Sequence, residues 1–164
     1  MLVNFDSLED TSKIWIYQSN RAFSENEVTE ISRNLESFIE TWKGHGNDLK
    51  AAYQIKYNQF IIIAVDHNYN EISGCSIDES MYLIRQFEQK FAIDLTNKLN
   101  ISFKDNSNIN VVSLAEFQNF AKQQKITSNT VVFNNTINNK ADFKNLWEVT
   151  ADKSWHKRFL AHIN

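Results

Sequence analysis

Cys75 is the chain's single cysteine, and it stands in the string Gly74-Cys75-Ser76-Ile77-Asp78-Glu79-Ser80. Ser76 and Glu79 have capping-box spacing, so Cys75 is expected just ahead of a helix N-terminus with Ser76 as the cap. The positive end of a helix dipole stabilises thiolate, the reactive form of the side chain. Asp78 and Glu79, in the first turn, would offset part of that field. The same helix start offers an anion or small-ligand pocket, built from free N–H groups with Gly74, Ser76 and Asp78 around them. The plain alternative is a small apolar cysteine inside a core.

His45 and His156 are the bases that a nucleophilic Cys75 would use. His45 lies between Gly44 and Gly46, so all three glycines of the chain flank either His45 or Cys75. Glycine is required where φ is positive or where something approaches the backbone closely. His156 belongs to Ser154-Trp155-His156-Lys157-Arg158-Phe159, the densest aromatic-basic string in the sequence. Helical spacing there turns Trp155 and Phe159 to the core and leaves His156 and Arg158 off that face. The expected site therefore lies where residues 44–47, residues 74–78 and the Trp155-His156 region approach one another. Its catalytic set would be Cys75, His45 and His156, and its ligand-binding set Gly46, Gly74, Ser76, Asp78, Trp155 and Arg158. The bland readings are a helix stop at residues 44–46, a strand-end bend at Gly74 and a C-terminal helix with a solvated basic side.

Other chemistries lack their residues. His45, Cys75 and His156 have no zinc-ligand spacing, and Asp66, His67, Glu71 and Asp78 read as surface carboxylates and a histidine near a turn, so no metal is expected. No G-x4-G-K-[ST] phosphate loop and no G-x-S-x-G elbow occurs. No cofactor is expected.

Elements must position these residues. Lys13 to Tyr17 reads as a strand. Ser24 with Glu27 makes a capping box, followed by the helical stripe Val28, Ile31, Leu35, Phe38, Trp42, with Gly44 as the stop. Residues 52–57 alternate and read as a strand, Asn58-Gln59 as a turn, and residues 60–65 as a strand buried on both faces. Residues 72–75 extend this meander. A helix carries Ile77, Met81, Ile84, Phe87 and Phe91. Strands near 101–104 and 109–112 flank the turn 105–108. A helix with Leu114, Phe117 and Ala121 follows, then a strand at 130–133. Phe143, Leu146 and Trp147 mark a short helix, and Trp155, Phe159 and Ile163 a last one. The fold class is α+β, a mainly antiparallel sheet with helices packed on it. Residues 13–164 form one domain and residues 1–12, polar and acidic, a flexible arm.

Composition bounds the function. The 164 residues are 42% hydrophobic and 13% aromatic, enough for a core, which excludes a disordered chain. No apolar run reaches membrane-helix length, and the N-terminus has no basic region followed by an apolar stretch, so no membrane partner and no signal peptide are expected. The net charge of −3, with scattered Lys and Arg, argues against nucleic acid as a partner. The chain has 21 asparagines and no proline, a bias typical of an AT-rich genome, so Asn-rich stretches carry little weight as signals.

The strings Trp15-Ile-Tyr-Gln-Ser19, His45-Gly-Asn47, Phe60 to Asp66, Gly74-Cys-Ser-Ile-Asp78, Val132-Phe-Asn-Asn135 and Ser154-Trp-His156 resemble a family of small uncharacterised bacterial proteins often labelled "ABC transporter ATPase". The resemblance runs from about residue 13 to residue 160, and Gly74 to Asp78 is its most specific piece. The label implies ATP hydrolysis. This chain departs from that implication, having no phosphate loop, no Leu-Ser-Gly-Gly-Gln-type signature and no apolar strand ending in Asp-Glu, so no ATPase activity is expected. The function expected is a small cytoplasmic binding or accessory domain with an unspecified protein or small-molecule partner. The alternative is a cysteine-dependent hydrolase or transferase using Cys75 with His45 or His156.

Overall fold

A strand without polar alternation has to be covered on both faces, and β5 (Phe60–Val65) is buried at every position. It is the middle strand of an antiparallel sheet, between β1 (Lys13–Gln18) and β4 (Ala51–Lys56), in the order β1-β5-β4. The computed structural model describes residues 1–160. They divide into two compact units, residues 1–96 with 138–140, and residues 97–137 with those from 141 onward. The class is α+β, with antiparallel strand pairing in each sheet. Three separate sheets are present instead of one. Among the described residues no helix is long and apolar enough to cross a membrane.

In the first unit, α1 (Glu25–Thr41) begins at the expected capping box. Glu27 N–H donates to Ser24 Oγ at 3.2 Å and Ser24 N–H to Glu27 Oε1 at 2.8 Å. The Arg21 guanidinium, assisted by the Ser24 N–H, holds the Glu27 carboxyl down at about 2. Ile31, Leu35 and Ile39 enter the core with Trp42, Ile61, Ile63 and Val65. Gly44 does not stop this helix. Trp42 is its C-cap in extended conformation, and Gly44 belongs to a hairpin of β2 (Lys43–Gly44) and β3 (Asn47–Asp48). His45 (φ 51°) and Gly46 (φ 81°) are its two turn residues, and positive φ at both is what a type I′ turn requires. The β4–β5 turn has its positive-φ residues at Tyr57 and Asn58 rather than at residues 58–59.

Residues 72–75 form no strand. Ser73 is the N-cap of α2 (Gly74–Phe91), and the capping box is Ser73–Ser76 rather than Ser76–Glu79. The cause lies outside the helix. Ser76 Oγ donates to the Lys43 carbonyl at 2.8 Å, and the Ser76 carbonyl accepts from Trp42 Nε1 at 3.0 Å. These bonds draw Ser76 into the fold, fully buried, and leave the cap to Ser73.

Residues 1–12 are docked rather than loose. Phe5 and Leu8 are buried. The terminal ammonium donates to the carbonyls of Ile39 (3.1 Å) and Leu49 (3.0 Å), the negative end of the α1 dipole adding to the attraction. Buried Lys140 holds the segment from the far end of the sequence. Its Nζ donates to the carbonyls of Asp6 (3.0 Å) and Leu8 (2.5 Å) and lies over the Phe5 ring.

In the second unit, β6 (Asn100–Asp105) and β7 (Asn108–Ser113) form a hairpin in full register. Ser113 caps α3 (Leu114–Lys122). β8 (Val131–Phe133), α4 (Lys140–Leu146), which starts at the boundary between the units, and β9 (Glu148–Thr150) follow, and the sheet order is β7-β6-β8-β9. Ile101, Phe103, Phe117, Ile126, Val132 and Ala151 make its core, with Phe120, Trp155 and Phe159 against it. The last expected helix is a 3-10 turn, Trp155–Phe159; Ile163 lies outside the described residues.

Candidate functional site

Two of the three expected segments meet. The hairpin that carries His45 and the start of α2 that carries Cys75 are joined by the bond from Ser76 Oγ to the Lys43 carbonyl and by that from Trp42 Nε1 to the Ser76 carbonyl. Gly44 is needed at this junction, since a Cβ would collide with the Glu71 carbonyl oxygen. The bonds that make the junction also consume its donors. The Ser76 hydroxyl is shared between Lys43 and Ser73, and so is not free for an anion. Gly74, Cys75, Asp78, His45 and Gly46 are exposed. Among the described residues, neither Cys75 nor His45 has a side-chain hydrogen bond or ion pair, so no base is aligned on the thiol.

His156 lies in the core of the second unit instead of off the helix face. It is fully buried. The tighter 3-10 winding turns its ring inward, stacked on Trp155 at 3.8 Å between centroids and 5.4 Å from Phe117. Nδ1 pairs with Ser154 Oγ at 2.7 Å, and Nε2 has no partner among the described residues. Burial, and then the charge of Arg158, lower its pKa to about 4. The ring is therefore neutral near neutral pH and closed to solvent. Arg158 is folded back over the Trp155 ring at 5.3 Å, with Nε donating to the Trp155 carbonyl. Trp155 Nε1 is likewise buried without a partner among the described residues. Among the described residues no group of three or more His, Cys, Asp or Glu side chains is placed to share a metal ion.

A concave site of the second unit lies elsewhere, at the tip of the β6–β7 hairpin. Each strand has six residues and spans about 20 Å. Helix α3, running back along the hairpin, has nine residues and covers only about 14 Å. Its end leaves the tip bare, and the chain from Lys125 to Val131 walls the gap. The result is an open cleft of about 650 Å³. Its apolar floor and wall include Phe103 and Phe120, edge to face at 6.3 Å, with Ile126 and Val131. Asp105, Asn106, Asn110, Asn129 and Thr130 supply polar lining. Lys125 lies over the Phe120 ring at 5.5 Å and has no carboxylate partner among the described residues, whereas Lys104 is paired with Glu148 at 2.8 Å.

None of these lining residues is among the expected site residues. The turn 105–108 reads as a polar loop, and its asparagines as compositional bias. The usable signal is the mismatch in length between a long hairpin and the short helix that follows it. Compared with known proteins, the chain matches no family model, no curated protein and no solved structure.

Proposed function

We propose that the chain is a non-catalytic binding module that takes a small ligand in the cleft of its second unit. The observation that carries this reading is the cleft itself, about 650 Å³ with an aromatic wall and several side chains that have no partner among the described residues. Ligand sites combine an apolar body with a few convergent polar groups in this way, at volumes of roughly 300–1,000 Å³. The binding reading is preferred to the cysteine-dependent alternative because, among the described residues, Cys75 has no hydrogen-bonded base, and the imidazole of His156 is enclosed in a core. A resemblance to the small bacterial proteins labelled as ATPases stays part of the proposal, without ATP turnover. Lys153 and Ser154 lie in and beside a 3-10 turn and not in a phosphate-binding loop. An exposed free thiol suits a reducing compartment, which supports a cytoplasmic home.

A fragment library screened against 15N-labelled protein tests the site. Hits should shift the amides of residues 103–110 and 125–131. Hits confined to residues 44–47 and 74–78 would move the site to the α2 start and refute the cleft.

A further inference from the structure

Resting on the reading of the cleft as the ligand site, we propose that its ligand is a neutral polyhydroxyl compound, a mono- or disaccharide. Three features of the lining select this class. The first is the balance of donors and acceptors. The side-chain amides of Asn106, Asn110 and Asn129 make no hydrogen bond among the described residues. Each amide offers donors and acceptors together. The Thr130 hydroxyl accepts from the Thr127 N–H and keeps its own proton to give. A ligand hydroxyl also donates and accepts, so each of these groups can be satisfied by hydroxyls. A phosphate or carboxylate only accepts, and would leave the amide oxygens facing negative charge. An apolar ligand would strand the amides, and unpaired polar groups are costly to bury.

The second feature is charge. Lys104 and Lys125 are the cations of the cleft. Glu148 neutralises the first at 2.8 Å, and the Asp105 carboxylate lines the same cleft as the second. The balance leaves no net positive field to collect an anion. The third is shape. Phe120 and Val131, both half-buried, provide an apolar surface. A sugar ring has an apolar C–H face between its equatorial hydroxyls, so one face can rest there while its edge meets the asparagines.

Titration of the full chain with glucose, mannose, galactose, N-acetylglucosamine, maltose, cellobiose and lactose, followed by 15N shifts including the asparagine side-chain amides, tests this. The expected result is saturable shifts of Asn106, Asn110 and Asn129 with at least one of these sugars. Asn110→Ala should then weaken that binding by about tenfold, as loss of one or two hydrogen bonds implies, and Asn129→Ala should act similarly. Neither side chain makes a hydrogen bond among the described residues, so both variants should keep the parent spectrum elsewhere. Inorganic phosphate, adenosine monophosphate and a neutral tetrapeptide are the competing probes. Saturation of the cleft by any of these without binding of a sugar overturns the polyhydroxyl class and leaves the cleft standing as a site. No shift in the cleft with any sugar or competing probe overturns the class, and fragment hits elsewhere then overturn the cleft as well.

Discussion

An imidazole enclosed by the rings of Trp155 and Phe117 pairs with no carboxylate among the described residues, and burial holds it neutral, with a pKa lowered to about 4. In the unfolded chain the same ring titrates at about 6.5. Between these values the unfolded state binds a proton that the folded state refuses. The stability this group contributes is therefore whole above about pH 6.5 and is lost as pH falls toward 4, by roughly 3 kcal/mol in full. Urea denaturation at about pH 7 and about pH 4.5 should show this loss, and His156→Phe should flatten it. Equal losses in both proteins would put the acid sensitivity elsewhere. At the α2 start, Ser73→Ala removes the cap and should cost about 0.5–2 kcal/mol. Cys75→Ser changes an exposed side chain and should stay within about 0.5 kcal/mol. A reversed order would contradict the placement of the helix start.

At the scale of elements, α1 was legible because its signals are local. Ser24, Glu27 and the stripe from Val28 to Trp42 all belong to one helix and its two caps. The start of α2 was not, because two serines three residues apart both have cap spacing. The choice between them is made by bonds to Lys43 and Trp42, more than thirty positions upstream. The docking of the N-terminal segment is not legible locally for the same reason. Its acidic, polar character is plain, but its anchor is Lys140, at the far end of the sequence. Lys140→Met should release it, seen as faster amide exchange over residues 2–8 while β5 stays protected; unchanged exchange there would show that Phe5 and Leu8 alone hold the segment. The β2–β3 hairpin went unseen because its strands have only two residues each. Gly46, at φ 81°, should pay about 1–2 kcal/mol on replacement by Ala, read from a denaturation midpoint.

For the whole molecule, the α+β class and the antiparallel pairing were legible, since short turns between strands leave little choice. The division into two units and three sheets was not, because strand order depends on pairings between distant segments such as β6 with β8. Reactive residue types mark the expected site, and the fold uses some of them otherwise, His156 in a core, Ser76 in a junction and Arg158 over its own tryptophan, while Gly74, Cys75, Asp78, His45 and Gly46 stay exposed. The cleft arises from a geometric remainder, a hairpin longer than its covering helix. The polar groups that line it are residues that composition alone makes unremarkable. The central claim, binding in that cleft without cysteine chemistry, is tested most directly by comparing two variants with the strongest fragment hit as the probe. The dissociation constant should be unchanged in Cys75→Ser and raised about tenfold or more in Asn110→Ala/Asn129→Ala. Loss of binding in Cys75→Ser with retention in the double variant would contradict the account.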